Sequence, residues 1–96
     1  MERKEIIFCL RRFKEKNENR YRIMNIGLFG SSARESMNKQ SDIDIVVELE
    51  KQDLFNLIGI KQDLEEEFNM AVDIVSYRKE MNQFLKNRID KEAVYV

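Results

Sequence analysis

A small α/β sandwich is what this sequence predicts: three short strands with helices between them, folded as one domain. Three observations lead there. Apolar residues recur at helical spacing in three segments and alternate with polar ones in three others. Helical and strand segments interleave along the chain, the pattern of a layered α/β fold. The 96 residues hold no proline, repeat or low-complexity tract that would mark a boundary, so residues 1–96 read as a single domain.

The first helix is expected from Glu2 to about Asn17, with Ile6, Cys9, Leu10 and Phe13 on one face, and "NENRY" reads as a polar break. Ile23 to Phe29 reads as a strand with Met24, Ile26 and Leu28 on one side. Gly30-Ser31-Ser32 is a turn, and Ser31 or Ser32 could cap a short helix through about Ser36. Asp42 to Leu49 is the clearest strand, with Ile43, Ile45, Val47 and Leu49 alternating against Asp42, Asp44, Val46 and Glu48. Asp53 should cap a helix to about Phe68, burying Leu54, Leu57, Ile58, Leu64 and Phe68, with Gly59 as a weak point. Met70 to Val75 is a third strand, with Val72 and Ile74 on one face and Ala71, Asp73 and Val75 on the other. A last helix is expected from about Arg78 to Ile89, with Met81, Phe84, Leu85 and Ile89 inward, and "KEAVYV" as an extended end docked on the core. The acidic phase of the strands suggests one covered face and one open face.

Composition removes several function classes. There is no histidine and one cysteine, Cys9, which rules out a Cys-His metal site or a histidine dyad within this chain. The apolar run in "MERKEIIFCLRRF" is too short for a signal or a membrane span, and with a single thiol the expected setting is a reducing cytoplasm. Residues 1–22 carry eight Lys/Arg against four Glu, a net +4, while residues 42–73 carry ten Asp/Glu against two Lys, a net -8. These read either as solvated helix faces or as a basic patch meeting phosphates or an acidic partner. A pI near 5.6 argues against general nucleic-acid binding.

Asp42 and Asp44 stand two apart on a strand, so both point to one face with Cα atoms about 6–7 Å apart. Like charges so placed repel, and a cation bridging them would explain the arrangement. With only oxygen ligands on offer, that cation is a hard one such as Mg2+ or Mn2+. Asp73, on another strand in a matching phase, could supply a third carboxylate as ligand or base. Each residue has a plainer reading: Asp42 as a strand-entry residue, Asp73 as an edge-strand polar residue. Asp44 is harder to explain away, because strand interiors disfavour aspartate. Gly30-Ser31 is either an ordinary strand exit or a phosphate cradle, where glycine admits a ligand and amides and a hydroxyl bind its oxygens. Arg34 is either a phosphate contact or a solvated arginine.

Gly30-Ser31, ten intervening residues, then Asp42-Ile43-Asp44 resembles the signature of the DNA polymerase beta-like nucleotidyltransferases, and "VDIV" at 72–75 resembles their third-carboxylate strand. In size and in its "KEAVYV" ending the chain is most similar to the minimal nucleotidyltransferases, or MNT domains. The resemblance implies an α+β palm in which a small mixed sheet is flanked by helices. It implies two Mg2+ ions held by Asp42, Asp44 and Asp73, and nucleotide phosphates held by Gly30, Ser31 and Arg34. The implied reaction is transfer of AMP from ATP to a hydroxyl of a protein partner, with Asp73 assisting deprotonation. Many MNT proteins are antitoxins that act so on a HEPN-domain toxin, and the resemblance implies that partner here. The chain departs from the family at Glu35, where glycine is usual. That carboxylate near the phosphates favours an alternative: a catalytically weak or inactive module of the same fold that neutralises its partner by contact.

Overall fold

The computed structural model describes residues 2–30 and 42–96. Its elements are α1 (Arg3–Tyr21), β1 (Ile23–Leu28), β2 (Ile43–Leu49), α2 (Leu54–Phe68), β3 (Val72–Ser76), α3 (Gln83–Glu92) and β4 (Val94–Tyr95). The strands form one mixed sheet in the order β3-β2-β1-β4. β1 runs antiparallel to β2 and to β4, and β2 runs parallel to β3. This is the expected α+β architecture with a fourth strand added. The docked end of the chain is that strand: Leu28 pairs with Val94 and Gly27 with Tyr95. Gly27 permits the approach, since a Cβ there would lie 2.5 Å from the Val94 carbonyl oxygen. The short helix expected after Ser31 lies outside the described residues.

On one face of the sheet, Ile26, Leu28, Ile43, Ile45 and Val47 are buried under Ile6, Leu10 and Phe13 of α1 and Ile60, Leu64 and Phe68 of α2. The other face is not open as expected. There α3 and the segment before it lay Met81, Leu85 and Ile89 over Phe29, Val46 and Val75. Val46 is the residue that the alternation grouped with the aspartates, and its apolar side chain is what gives α3 a seat. No helix among the described residues is long and apolar enough to cross a membrane.

Four details differ from the sequence pattern for local reasons. α1 continues through "NENRY" to a left-handed cap at Arg22 (φ 56°), because Tyr21 is buried, stacks on Phe13 and donates its hydroxyl to Asp63 Oδ2 at 2.6 Å. Tertiary anchoring here outweighs weak local propensity. In β1 the register jumps between Ile23 and Asn25, a bulge that turns Met24 out to 50% exposure and brings Ile23 inward instead. In α2, Asp53 caps the helix as predicted, accepting from the Phe55 and Asn56 amides, but Leu54 and Ile58 are exposed and Ile60 is buried. Ile58 and Ile60 are about 200° apart around a helix, so the stripe through Ile60, Leu64 and Phe68 excludes Ile58. Met81, just before α3, and Leu85 and Ile89 on it are packed inward, while Phe84, one step around the helix from Leu85, is exposed.

Candidate active site

Parallel pairing sets Asp44 directly beside Asp73, each the other's register partner. Register partners on adjacent strands share a face and lie about 5 Å apart at Cα. Two hydrogen bonds hold β3 in that register at its start: the Ile43 amide donates to the Ala71 carbonyl at 3.1 Å, and the Val72 amide donates to Glu65 Oε2 at 3.1 Å. Asp42 precedes β2 by one residue and is exposed. Strand alternation carried back to it puts it on the Asp44 side. The sheet thus gathers Asp42, Asp44 and Asp73 at one end, on the face that α3 partly covers.

Gly30 closes this end from β1. The Phe29 amide donates to the Asp44 carbonyl at 3.1 Å, extending the β1–β2 ladder by one residue. Gly30 then turns with φ +62°, and a Cβ on it would stand 2.8 Å from Asp44 Oδ2. Glycine is required twice over, for the left-handed backbone and for room beside the carboxylate. Ser31, Arg34 and Glu35 lie outside the described residues.

The electrostatics follow from this geometry. Burial, reinforced by the charges of Asp73 and then Asp42, pushes the Asp44 carboxyl above its ordinary value, and the Arg88 guanidinium on α3 opposes the shift. A carboxyl raised by its neighbours in this way is one whose charged form a cation would favour. Among the described residues no three acidic side chains converge closely enough to form a ready-made metal cage. Magnesium is commonly held by one or two carboxylates, with substrate phosphates and waters completing its shell. Asp44 and Asp73 have the oxygen chemistry and shared face for that role.

Sequence reading missed Arg88. Its signal was available in the spacing: Arg88 follows Leu85 by three residues and adjoins Ile89, so it borders the inward stripe of α3 rather than lying opposite it.

The model of the nucleotidyltransferase domain family matches residues 10–96. A Methanocaldococcus jannaschii protein, provisionally named a protein adenylyltransferase, is 32% identical over 93 residues, spanning 96% of this chain and 95% of its own. The protein adenylyltransferase MntA of Thermococcus cleftensis is 30% identical over 93 residues, spanning 96% of this chain and 93% of its own. A solved minimal nucleotidyltransferase superposes with TM-score 0.79 at 27% identity, covering 98% of this chain and 95% of that one. A Shewanella oneidensis complex of a tri-AMPylated HEPN toxin with an MNT antitoxin matches in fold, with TM-score 0.58 at 22% identity, covering 85% of this chain and 70% of that one.

Proposed function

This chain belongs to the nucleotidyltransferase domain family as an MNT domain, and from that premise we propose that it transfers AMP from ATP to a hydroxyl of a HEPN-domain toxin, acting as that toxin's antitoxin. The observation that carries the reading is the pairing of Asp44 with Asp73 in one register, with Gly30 held against Asp44. The names and complexes of its relatives support the choice of nucleotide and partner.

In the proposed reaction the acceptor oxygen attacks the α-phosphorus of ATP. The new O–P bond forms as the bond from the α-phosphorus to the bridging oxygen breaks, and pyrophosphate leaves with the electron pair. Asp73, exposed on its strand, takes the acceptor's proton. Gly30 lets the phosphates approach the backbone, and Ser31 and Arg34 supply a hydroxyl and a guanidinium to their oxygens. Magnesium ions held by Asp42, Asp44 and Asp73 would polarise the α-phosphate and neutralise the leaving oxygens. We infer a cytoplasmic setting, in keeping with its lone half-buried thiol, Cys9.

Intact-mass measurement after incubation with ATP, Mg2+ and the HEPN partner tests this. An AMP-sized increment on the partner, absent with Asp44→Ala, is expected. A partner that is bound and inhibited yet unmodified would establish neutralisation by contact and overturn the catalytic reading.

A further inference from the structure

We propose that Arg88 binds the outgoing pyrophosphate of the nucleotide, gripping the β- and γ-phosphate oxygens as charge builds on them; this rests on the nucleotidyl-transfer reading above. The topology puts Arg88 in the right place. α3 starts just beyond the far end of β3 and runs back over the second face of the sheet. It delivers the chain into β4, where Val94 pairs with Leu28, one residue before Phe29. The later turns of α3 therefore lie at the end of the sheet that holds Asp44 and Gly30. Ile89 confirms this locally: it is fully buried in the cluster with Phe29 and Val46, and Phe29 is hydrogen-bonded to Asp44. Arg88 is its immediate neighbour.

Charge makes the placement purposeful. Arg88 brings a cation to the end of the sheet where the carboxylates gather. A triphosphate brings about four negative charges toward three carboxylates, and a planar guanidinium offers paired donors that match phosphate oxygens. A purely structural role explains Arg88 poorly. Its ion pair with Glu92 is 3.7 Å long and its side chain is 46% exposed. Such a pair lies beyond hydrogen-bonding distance and adds little stability. Its order is also the weaker one, since the acid sits C-terminal to the base.

The balance of the step is unchanged by this assignment. The acceptor's proton goes to Asp73, the electron pair of the broken bond stays on the bridging oxygen, and Arg88 donates hydrogen bonds to the departing group without exchanging a proton.

Arg88→Ala and Arg88→Lys separate the possibilities, with Asp44→Asn as reference. ATP binding is titrated calorimetrically in the presence of Mg2+, AMP is titrated as a competitor, and transfer to the HEPN partner is measured in parallel. Arg88→Ala should weaken ATP at least tenfold, leave the AMP competition constant within twofold and cut kcat/KM about 100-fold, the scale of losing one preorganised donor. Arg88→Lys should recover part of each loss, which a packing defect would not show. Unchanged ATP affinity in Arg88→Ala, or equal weakening of ATP and AMP, overturns the assignment. Should Asp44→Asn transfer at the wild-type rate, the active-site reading itself fails; should it be dead while Arg88→Ala is normal, only the role of Arg88 fails.

Discussion

Asp44→Asn should make the protein more stable while abolishing transfer. Asp44 faces Asp73 at about 5 Å and Asp42 at about 6–7 Å on the strand geometry. In a solvent-like dielectric near 80, those distances correspond to roughly 0.8 and 0.6 kcal/mol of repulsion, and the attraction of Arg88 cancels part of it. Removing the charge while keeping the shape should therefore return about 1 kcal/mol. For a domain of this size that is a rise in Tm of about 4–8 °C. The sign fixes the pH dependence. A carboxyl whose folded pKa is raised favours the fold in its protonated form, so its contribution is present below the unfolded value and lost as pH rises through the folded one. The variant's advantage should be full at pH 7 and disappear as pH falls through the carboxylate range. Melting curves from pH 7 to pH 3, with and without Mg2+, measure both effects. Added Mg2+ should raise the wild-type Tm and leave the variant nearly unmoved. A variant that melts below wild type at pH 7, or that still transfers AMP at the wild-type rate, would refute the reasoning.

Three further outcomes are expected. Gly30→Ala forces a side chain into left-handed backbone and against Asp44 Oδ2; urea unfolding should show a loss of about 1–2 kcal/mol, and transfer should fall with it. Tyr21→Phe removes the 2.6 Å hydrogen bond to Asp63, and the same assay should read a loss of about 1–2 kcal/mol with transfer unchanged. Tyr77 donates to Asp90 at 2.8 Å, a bond that pushes its pKa up to about 12. Ultraviolet titration should therefore show a late phenol near that pH, lost in Tyr77→Phe, and the stability it lends should persist to about pH 10 and fade toward pH 12.

The parts of the fold that sequence revealed are those where local pattern and tertiary demand agree. In the strand at 43–49, Ile43, Ile45, Val47 and Leu49 alternate against Asp44 and Glu48, so that face was assignable although Val46 is buried on the other, and Asp53 caps α2 where a cap was expected. Where several apolar residues crowd one helix turn, pattern alone was ambiguous. Leu54, Phe55, Leu57, Ile58 and Ile60 cover more than one face of α2, and only packing against α1 and the sheet selects Ile60. Met24 was assigned inward because alternation assumes an unbroken ladder, and a bulge breaks it.

The candidate site shows the same division at longer range. Spacing along one strand gives Asp42 and Asp44, because two residues of strand always return to the same face. That Asp73 stands beside Asp44 depends on parallel register, set by hydrogen bonds from β2 and from Glu65 of α2, which no local motif encodes. Arg88 is further still from local reading. Spacing in "FLKNRID" puts Arg88 at the border of the inward stripe of α3, but not at any particular end of the sheet. That placement comes from the path of α3, seated through Ile89 on Phe29 and Val46 and leading into a strand that pairs with Leu28. The acidic half of the site is thus written in strand periodicity. Its cationic complement is written in topology, and the apolar Val46 between the aspartates and Glu48 is what joins the two, by giving α3 its seat on their face.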